Sequence, residues 1–162
     1  MVRLRRDGRA RHRAGFTLLE LLFAMAITGI LATLGITSYR SYLERVDVAE
    51  AVVDIRAMQN ELKTYEAVNA EMPDTLLQAD IFPGLDPWGN NYVYLKLIQP
   101  PDPGANLGSA RKDQFAVPVN TDFDLYSPGK DGVTARPLNA ANALDDVVRA
   151  SDGSFIGLAE RY

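Results

Sequence analysis

The sequence predicts an α+β fold, in which one long N-terminal helix packs on a small antiparallel β-sheet head. An unbroken apolar run occupies residues 16–39, and a charged stretch with helical periodicity follows over residues 40–71. Short strand-like runs separated by turn formers fill residues 72–162. A helix first and strands afterwards is the order typical of α+β domains.

The first fifteen residues form a basic leader that differs in charge from the rest of the chain. Residues 1–15 contain six arginines and one acid, Asp7. Removing them from the 17 basic and 21 acidic residues of the whole chain leaves 11 basic and 20 acidic residues, a net charge of −9. A basic arm on an acidic body indicates either nucleic-acid binding or a chain divided by a membrane. The apolar run that follows the arm favours the membrane.

The apolar run has the length of a membrane span. Residues 16–39 read FTLLELLFAMAITGILATLGITSY and include a single carboxylate, Glu20. As a helix they rise ~36 Å, enough to cross a hydrocarbon core of about 30 Å. Because the arginines lie on the amino side, we expect a cytoplasmic N-terminus and a head outside the cytoplasm. A secretory signal peptide has a shorter apolar stretch with a cleavage site after it, whereas a simple signal anchor stays open as an alternative.

Glu20 argues against a simple anchor. A carboxylate at the centre of a membrane helix costs about 2.5–3.5 kcal/mol on insertion scales, and such a residue is rarely retained without a partner. Its neighbours in the sequence are Thr17 and leucines, so we expect no partner close by in the chain. Cleavage before Phe16 creates a free ammonium group that a neighbouring copy can present to Glu20.

The hexapeptide GFTLLE at residues 15–20, after a short basic leader and within an apolar run, resembles the prepilin processing motif of type IV pilins and type II secretion pseudopilins. The resemblance implies a pilin-like fold, cleavage between Gly15 and Phe16 by a prepilin peptidase, and methylation of the new Phe16 amine. It also implies that Glu20 neutralises the N-terminus of a neighbour when subunits leave the membrane for a helical filament.

The second half of the helix is predicted to be amphipathic and to end at or before Met72, because Pro73 follows. A helix from residue 16 to about residue 70 is ~80 Å long, which predicts that half of it stays bare until membrane or sister subunits cover it. Apolar residues near helical spacing are expected to form the face that packs on the head. They are Tyr39, Tyr42, Leu43, Val46, Ala49, Val53, Ala57, Leu62 and Tyr65.

The head, residues 72–162, is predicted to contain strands within residues 92–98, 121–127 and 154–159. Two stretches resemble the major pseudopilin of type II secretion in particular. They are DPWGN at residues 86–90 and DLYSPGKDG at residues 124–132. The chain has no cysteine, whereas many type IV pilins close a C-terminal disulfide loop. A type IV pilin, used in adhesion, motility or DNA uptake, is the alternative.

The same resemblance predicts a calcium site in the C-terminal loop. In major pseudopilins the loop after this strand binds calcium, which takes several hard oxygen ligands. Asp131 and the backbone carbonyl of Pro128 match the family positions, and Asp145 and Asp146 are candidates for a second carboxylate. The alternative is an aspartate-capped turn, with Asp145 as the N-cap of a short helix.

Together these features predict a structural subunit of a type II secretion pseudopilus, a filament that promotes protein export across the outer membrane. We expect a single-pass protein of the bacterial inner membrane with a periplasmic head, later part of a periplasmic or surface filament. The implied partners are copies of the same chain, prepilin peptidase, an inner-membrane assembly platform and minor pseudopilins, without nucleic acid. A membrane-anchored periplasmic hydrolase is disfavoured, because the chain has no cysteine and its one histidine, His12, lies in the leader.

Overall fold

A computed structural model of the chain describes residues 15–97 and 106–162. The chain divides into two compact units, Met1–Ser41 and Tyr42–Tyr162. The predicted leader lies, apart from Gly15, outside the described residues. By length and composition, one helix of the described part is apolar enough to cross a membrane, and it lies near the N-terminus.

That helix, α1, is Leu18–Asn69. The helix ends before Met72, as Pro73 predicts. The N–H of Ala70 donates to the carbonyl of Glu66 at 2.8 Å, and Ala70 then takes a left-handed backbone conformation with φ of 61°. A left-handed residue directly after the last turn is a common way for a helix to stop.

The face of α1 that packs on the head differs from the predicted one. Ala51, Ile55, Met58 and Leu62 are the buried residues of the helix, spaced four, three and four apart. Of the nine predicted residues only Leu62 is buried, and Val53 is 65% exposed. Both sets recur near the helical period, so periodicity alone could not choose between them. In the folded chain, the face of α1 that carries Ala51 and Met58 packs on the sheet.

The head contains one antiparallel four-stranded sheet in the order β1-β2-β3-β4. Its strands are β1 Val93–Lys96, β2 Phe123–Ser127, β3 Val147–Ala150 and β4 Phe155–Leu158. Neighbouring strands are joined by the pairs Val93↔Tyr126, Tyr126↔Val148 and Val148↔Gly157. Strands β1, β2 and β4 each lie inside one of the three predicted ranges. Residue 98, the last of the first range, lies outside the described residues. The predicted α+β fold is confirmed.

Strand β3 was not predicted from the sequence. Its four residues are all buried, so the polar-apolar alternation that reveals a half-exposed strand is missing. The structure also corrects the expectation of a short helix starting at Asp145. A 3₁₀ turn, Ala141–Ala143, precedes this residue and β3 follows it.

The core fills the space between α1 and one face of the sheet. There Ile55, Met58 and Leu62 pack with Phe123 and Val147. A second, smaller cluster covers the other face; it consists of Val119, Leu138, Val148, Ala150 and Ala159. Successive residues of β3 point to opposite faces, and because both faces are covered, all four residues of the strand, Arg149 included, are buried.

Candidate functional site

The predicted processing point lies in an exposed, non-helical stretch before α1. Gly15, Phe16 and Thr17 precede the first helical residue, and Phe16 is 85% exposed. A peptidase requires a bond that it can reach, and the bond between Gly15 and Phe16 is exposed and lies outside the helix. Cleavage and methylation themselves stay predictions.

Glu20 has a partner that the sequence reasoning missed. Its Oε2 accepts hydrogen bonds from the backbone N–H and from the hydroxyl of Thr17, both at 2.9 Å, and its own N–H donates to the Thr17 hydroxyl at 3.2 Å. This reciprocal arrangement is a capping box, and the T-x-x-E spacing would have predicted it. Thr17 is neutral, so the hydrogen bonds stabilise the carboxylate without cancelling its charge.

Three threonine side chains of the apolar segment bond within the helix. The hydroxyls of Thr28, Thr33 and Thr37 donate to the carbonyls of the residues four positions earlier, at 2.7, 2.9 and 3.2 Å. A hydroxyl bonded in this way is satisfied in lipid without water. Every side chain over residues 15–46 is exposed in the single chain.

In the head, the two stretches that resemble the major pseudopilin lie against each other. Asp86 is buried, and its Oδ2 accepts the Ser127 hydroxyl at 2.6 Å. Its Oδ1 accepts the N–H groups of Trp88 at 3.1 Å and Asn90 at 2.7 Å, which closes the 86–90 turn. The amide of Asn90 then donates to the carbonyl of Gly129 at 2.8 Å. The first stretch therefore positions the start of the C-terminal loop.

Two of the predicted calcium ligands meet at this position. The N–H of Asp131 donates to Oδ2 of Asp145 at 3.1 Å. Oδ1 of Asp131 accepts the N–H of Val133 at 2.8 Å, an Asx turn of the kind that the alternative reading predicts. Gly129 has a φ of +69°, and a Cβ on it would collide with the carbonyl of Asp145, so the two ends of the loop are in close contact here.

Asp146, the third candidate carboxylate, is engaged in a different contact. It is fully buried and forms an ion pair with Arg111, and its Oδ2 also accepts the Thr134 hydroxyl at 2.6 Å. Burial raises the pKa of Asp146 above its ordinary value, although the bonds from Thr134 and Arg111 oppose the rise. Among residues 15–97 and 106–162, no three acidic or histidine side chains are grouped as a metal site. The predicted carboxylates thus do not come together as one set, and calcium binding stays a prediction.

Sequence reasoning did not single out Arg111. It lies 35 positions before Asp146 in an irregular stretch, and no local motif marks it. A buried arginine is visible only once the fold brings the two segments together.

Comparison with known proteins finds a family match for the N-terminal segment and relatives that align with most of the chain. The family described as "Prokaryotic N-terminal methylation motif" matches residues 10–36. The type II secretion system core protein G of Escherichia coli is 32% identical over 139 residues, covering 73% of this chain and 82% of that protein. The proteins of the same name from Vibrio cholerae and Pseudomonas aeruginosa are each 33% identical, covering 75% of this chain and 84% and 87% of theirs. No solved structure matches the chain.

Proposed function

The chain belongs to the family of the type II secretion system core protein G, and on this premise we propose that it is a structural subunit of a type II secretion pseudopilus. The observation that carries the proposal is the extent of the similarity. The alignment covers 73% of the chain and cannot be accounted for by the N-terminal motif, which matches only residues 10–36. Type IV pilins share that motif, so the head must supply the distinction, and the head aligns with pseudopilins.

We propose that the subunit is first a single-pass protein of the inner membrane. The apolar half of α1 supplies the span, and the six arginines of residues 1–15 favour a cytoplasmic leader and a periplasmic head. A prepilin peptidase then cuts between Gly15 and Phe16, and the new amine of Phe16 is methylated.

Assembly follows from the charge of Glu20. In the separate subunit Thr17 donates two hydrogen bonds to Oε2 of Glu20, yet a full negative charge remains in the hydrocarbon. The ammonium group of Phe16 in a neighbouring, processed subunit cancels that charge. Joining the two subunits therefore removes two unpaired charges from lipid at once.

The subunit's main partner is another copy of itself. The side chains of Tyr39, Tyr42 and Val53 are each more than 60% exposed on α1, although the sequence pattern alone suggested that they belong to the core. Apolar side chains of this size on one helix suit contact with sister helices in a filament. An inner-membrane assembly platform and minor pseudopilins complete the set of proposed partners, and the role is structural and not enzymatic.

The intact mass of the protein from a type II secreting bacterium tests the processing. We expect a chain that starts at a methylated Phe16, and an unprocessed chain when the peptidase gene is deleted. Deleting the gene for this subunit should abolish both the filament and the export of folded proteins. Retained export together with lost adhesion, motility or DNA uptake would favour a type IV pilin instead.

A further inference from the structure

We propose that Arg111 is the built-in cation of the C-terminal loop, residues 128–146, so that the head keeps its fold without calcium. The inference concerns the folding of the head alone and does not require that the chain forms a pseudopilus.

Arg111 donates to three kinds of oxygen in this loop. Its Nη1 donates to the hydroxyl of Thr134 and to the carbonyl of Ala135, the latter at 2.7 Å, and its Nη2 donates to the carboxylate of Asp146. A backbone carbonyl and a carboxylate are oxygens that a calcium loop offers to its ion, and the hydroxyl of Thr134 adds a further acceptor. One guanidinium therefore joins the middle of the loop to its end.

The position of Arg111 is fixed from the sheet side as well. Its backbone N–H donates to Oδ2 of Asp124 at 2.7 Å, and its guanidinium lies 4.1 Å from the centre of the Tyr126 ring. The Arg111 side chain is 4% exposed, so the charge is shielded from water and its contacts are strong. Strand β2 thus holds the cation, and the loop closes on it.

The two buried atoms of this site that lack a hydrogen-bond partner both belong to the ion pair of Arg111 and Asp146. Nε of Arg111 and Oδ1 of Asp146 are buried without a hydrogen-bond partner among the described residues. Arginine binds a carboxylate side-on through Nε and one terminal nitrogen, each facing one oxygen. With Nη2 already on Oδ2, this side-on arrangement assigns the two remaining atoms, Nε and Oδ1, to each other. The free oxygen of Asp146 therefore needs no metal ion.

The remaining acids of the loop are also engaged locally. Asp131 caps its own turn through Val133, and Asp145 accepts the N–H of Asp131. The Lys130 ammonium group, next to Asp131, pairs with Glu44 of α1 at 2.7 Å. Each of these side chains has a partner in the chain without any added cation.

Thermal unfolding of the full mature chain in detergent, followed by near-ultraviolet circular dichroism, tests the proposal directly. We expect the Tm in millimolar calcium to agree within about 2 °C with the Tm in excess chelator. A specific site at a hundredfold excess of ion over its Kd would raise the Tm by about 5 °C or more. A calcium-dependent rise above about 2 °C overturns the proposal, and this measurement requires no variant.

Three variants then test whether the ion pair of Arg111 and Asp146 stabilises the head. Arg111→Met leaves Asp146 as a buried, unpaired charge, and we expect the Tm to fall by about 10 °C or more. The matched control is Arg136→Met, because Arg136 is an exposed arginine of the same loop; its Tm should stay within about 2 °C. Adding Asp146→Leu to Arg111→Met removes both charges and should recover at least half of the loss. An Arg111→Met chain with the native Tm, or a double variant as unstable as the single one, would contradict the assignment.

Discussion

Arg149 holds both carboxylate oxygens of Asp122 inside the head, with Nη1 to Oδ1 and Nη2 to Oδ2 distances of 2.8 Å each. The guanidinium lies 3.9 Å from the centre of the Phe123 ring, and its Nε donates to Gln59 of α1 at 2.6 Å. One buried arginine of β3 thus joins the start of β2, the aromatic core and the helix.

Replacing this arginine should destabilise the head strongly. In Arg149→Met, Asp122 loses its bidentate partner and keeps only the ion pair with Lys63 at 2.9 Å, so we expect the free energy of unfolding to fall by about 2–4 kcal/mol. Chemical denaturation in detergent measures the change. Lys130→Met is the control, since Lys130 is paired but exposed, and the unfolding curve should not move. Equal curves for the arginine variant and the native chain would show that the pair contributes nothing net.

The same pair predicts an acid transition. Burial tends to raise the pKa of Asp122, but hydrogen bonds from Arg149 and Lys63 outweigh it and hold the pKa below its ordinary value of 3.8. A lowered pKa in the folded state gives stability that is complete above the ordinary value and is lost as the pH falls through the folded value. The native chain should therefore lose this stability only below about pH 4.

Asp122→Asn isolates that contribution. The variant should be less stable than the native chain at neutral pH, and the difference between the two should shrink as the pH drops below about 4. Because burial raises the pKa values of Asp124 and Asp146, these groups act in the opposite sense in both proteins and cancel in the comparison. A stability difference that stays constant from neutral pH to pH 3 would refute the assignment.

Glu20→Gln tests the charge step of assembly. Glutamine keeps hydrogen-bond acceptance from Thr17 but carries no charge, so the subunit should be inserted and processed normally and yet form filaments at a level reduced by about tenfold or more. Thr17→Val removes the hydroxyl and leaves the charge, and it should assemble better than the glutamine variant. Counting filaments by electron microscopy, alongside the mass of the processed subunit, separates the two effects. Normal filaments from Glu20→Gln would end the proposed role of Glu20.

Gly129 offers a test of the contact between the two ends of the C-terminal loop. Alanine at this position requires a left-handed backbone and also collides with the carbonyl of Asp145. Gly89→Ala is the matched control, because Gly89 also has a positive φ, of +92°, but a Cβ there meets nothing within 4 Å. The control should lose about 1–2 kcal/mol, and Gly129→Ala about 1–3 kcal/mol more. Equal losses of stability in the two variants would mean that the contact between Gly129 and Asp145 does not stabilise the head.

The sequence predicted those elements whose signals are local. Pro73 marks the end of α1, and the alternation of Asp122, Phe123, Asp124 and Leu125 marks β2. The capping box of Thr17 and Glu20 was equally local and was simply overlooked. Strand β3, by contrast, carries no alternation, because both of its faces are covered. The partners of Arg111 and Arg149 are distant in the chain, so only the folded sheet reveals them.

The order of the strands in the sheet has a consequence for biogenesis. Because β1 to β4 follow one another in space as they do in the chain, the last two strands to be synthesised supply Arg149, Val147 and the whole of one sheet edge. The nascent head cannot close around α1 until residue 158 has been delivered. Folding of the head therefore requires β4 to have been synthesised, and a polypeptide released before that point would present an open hydrophobic surface.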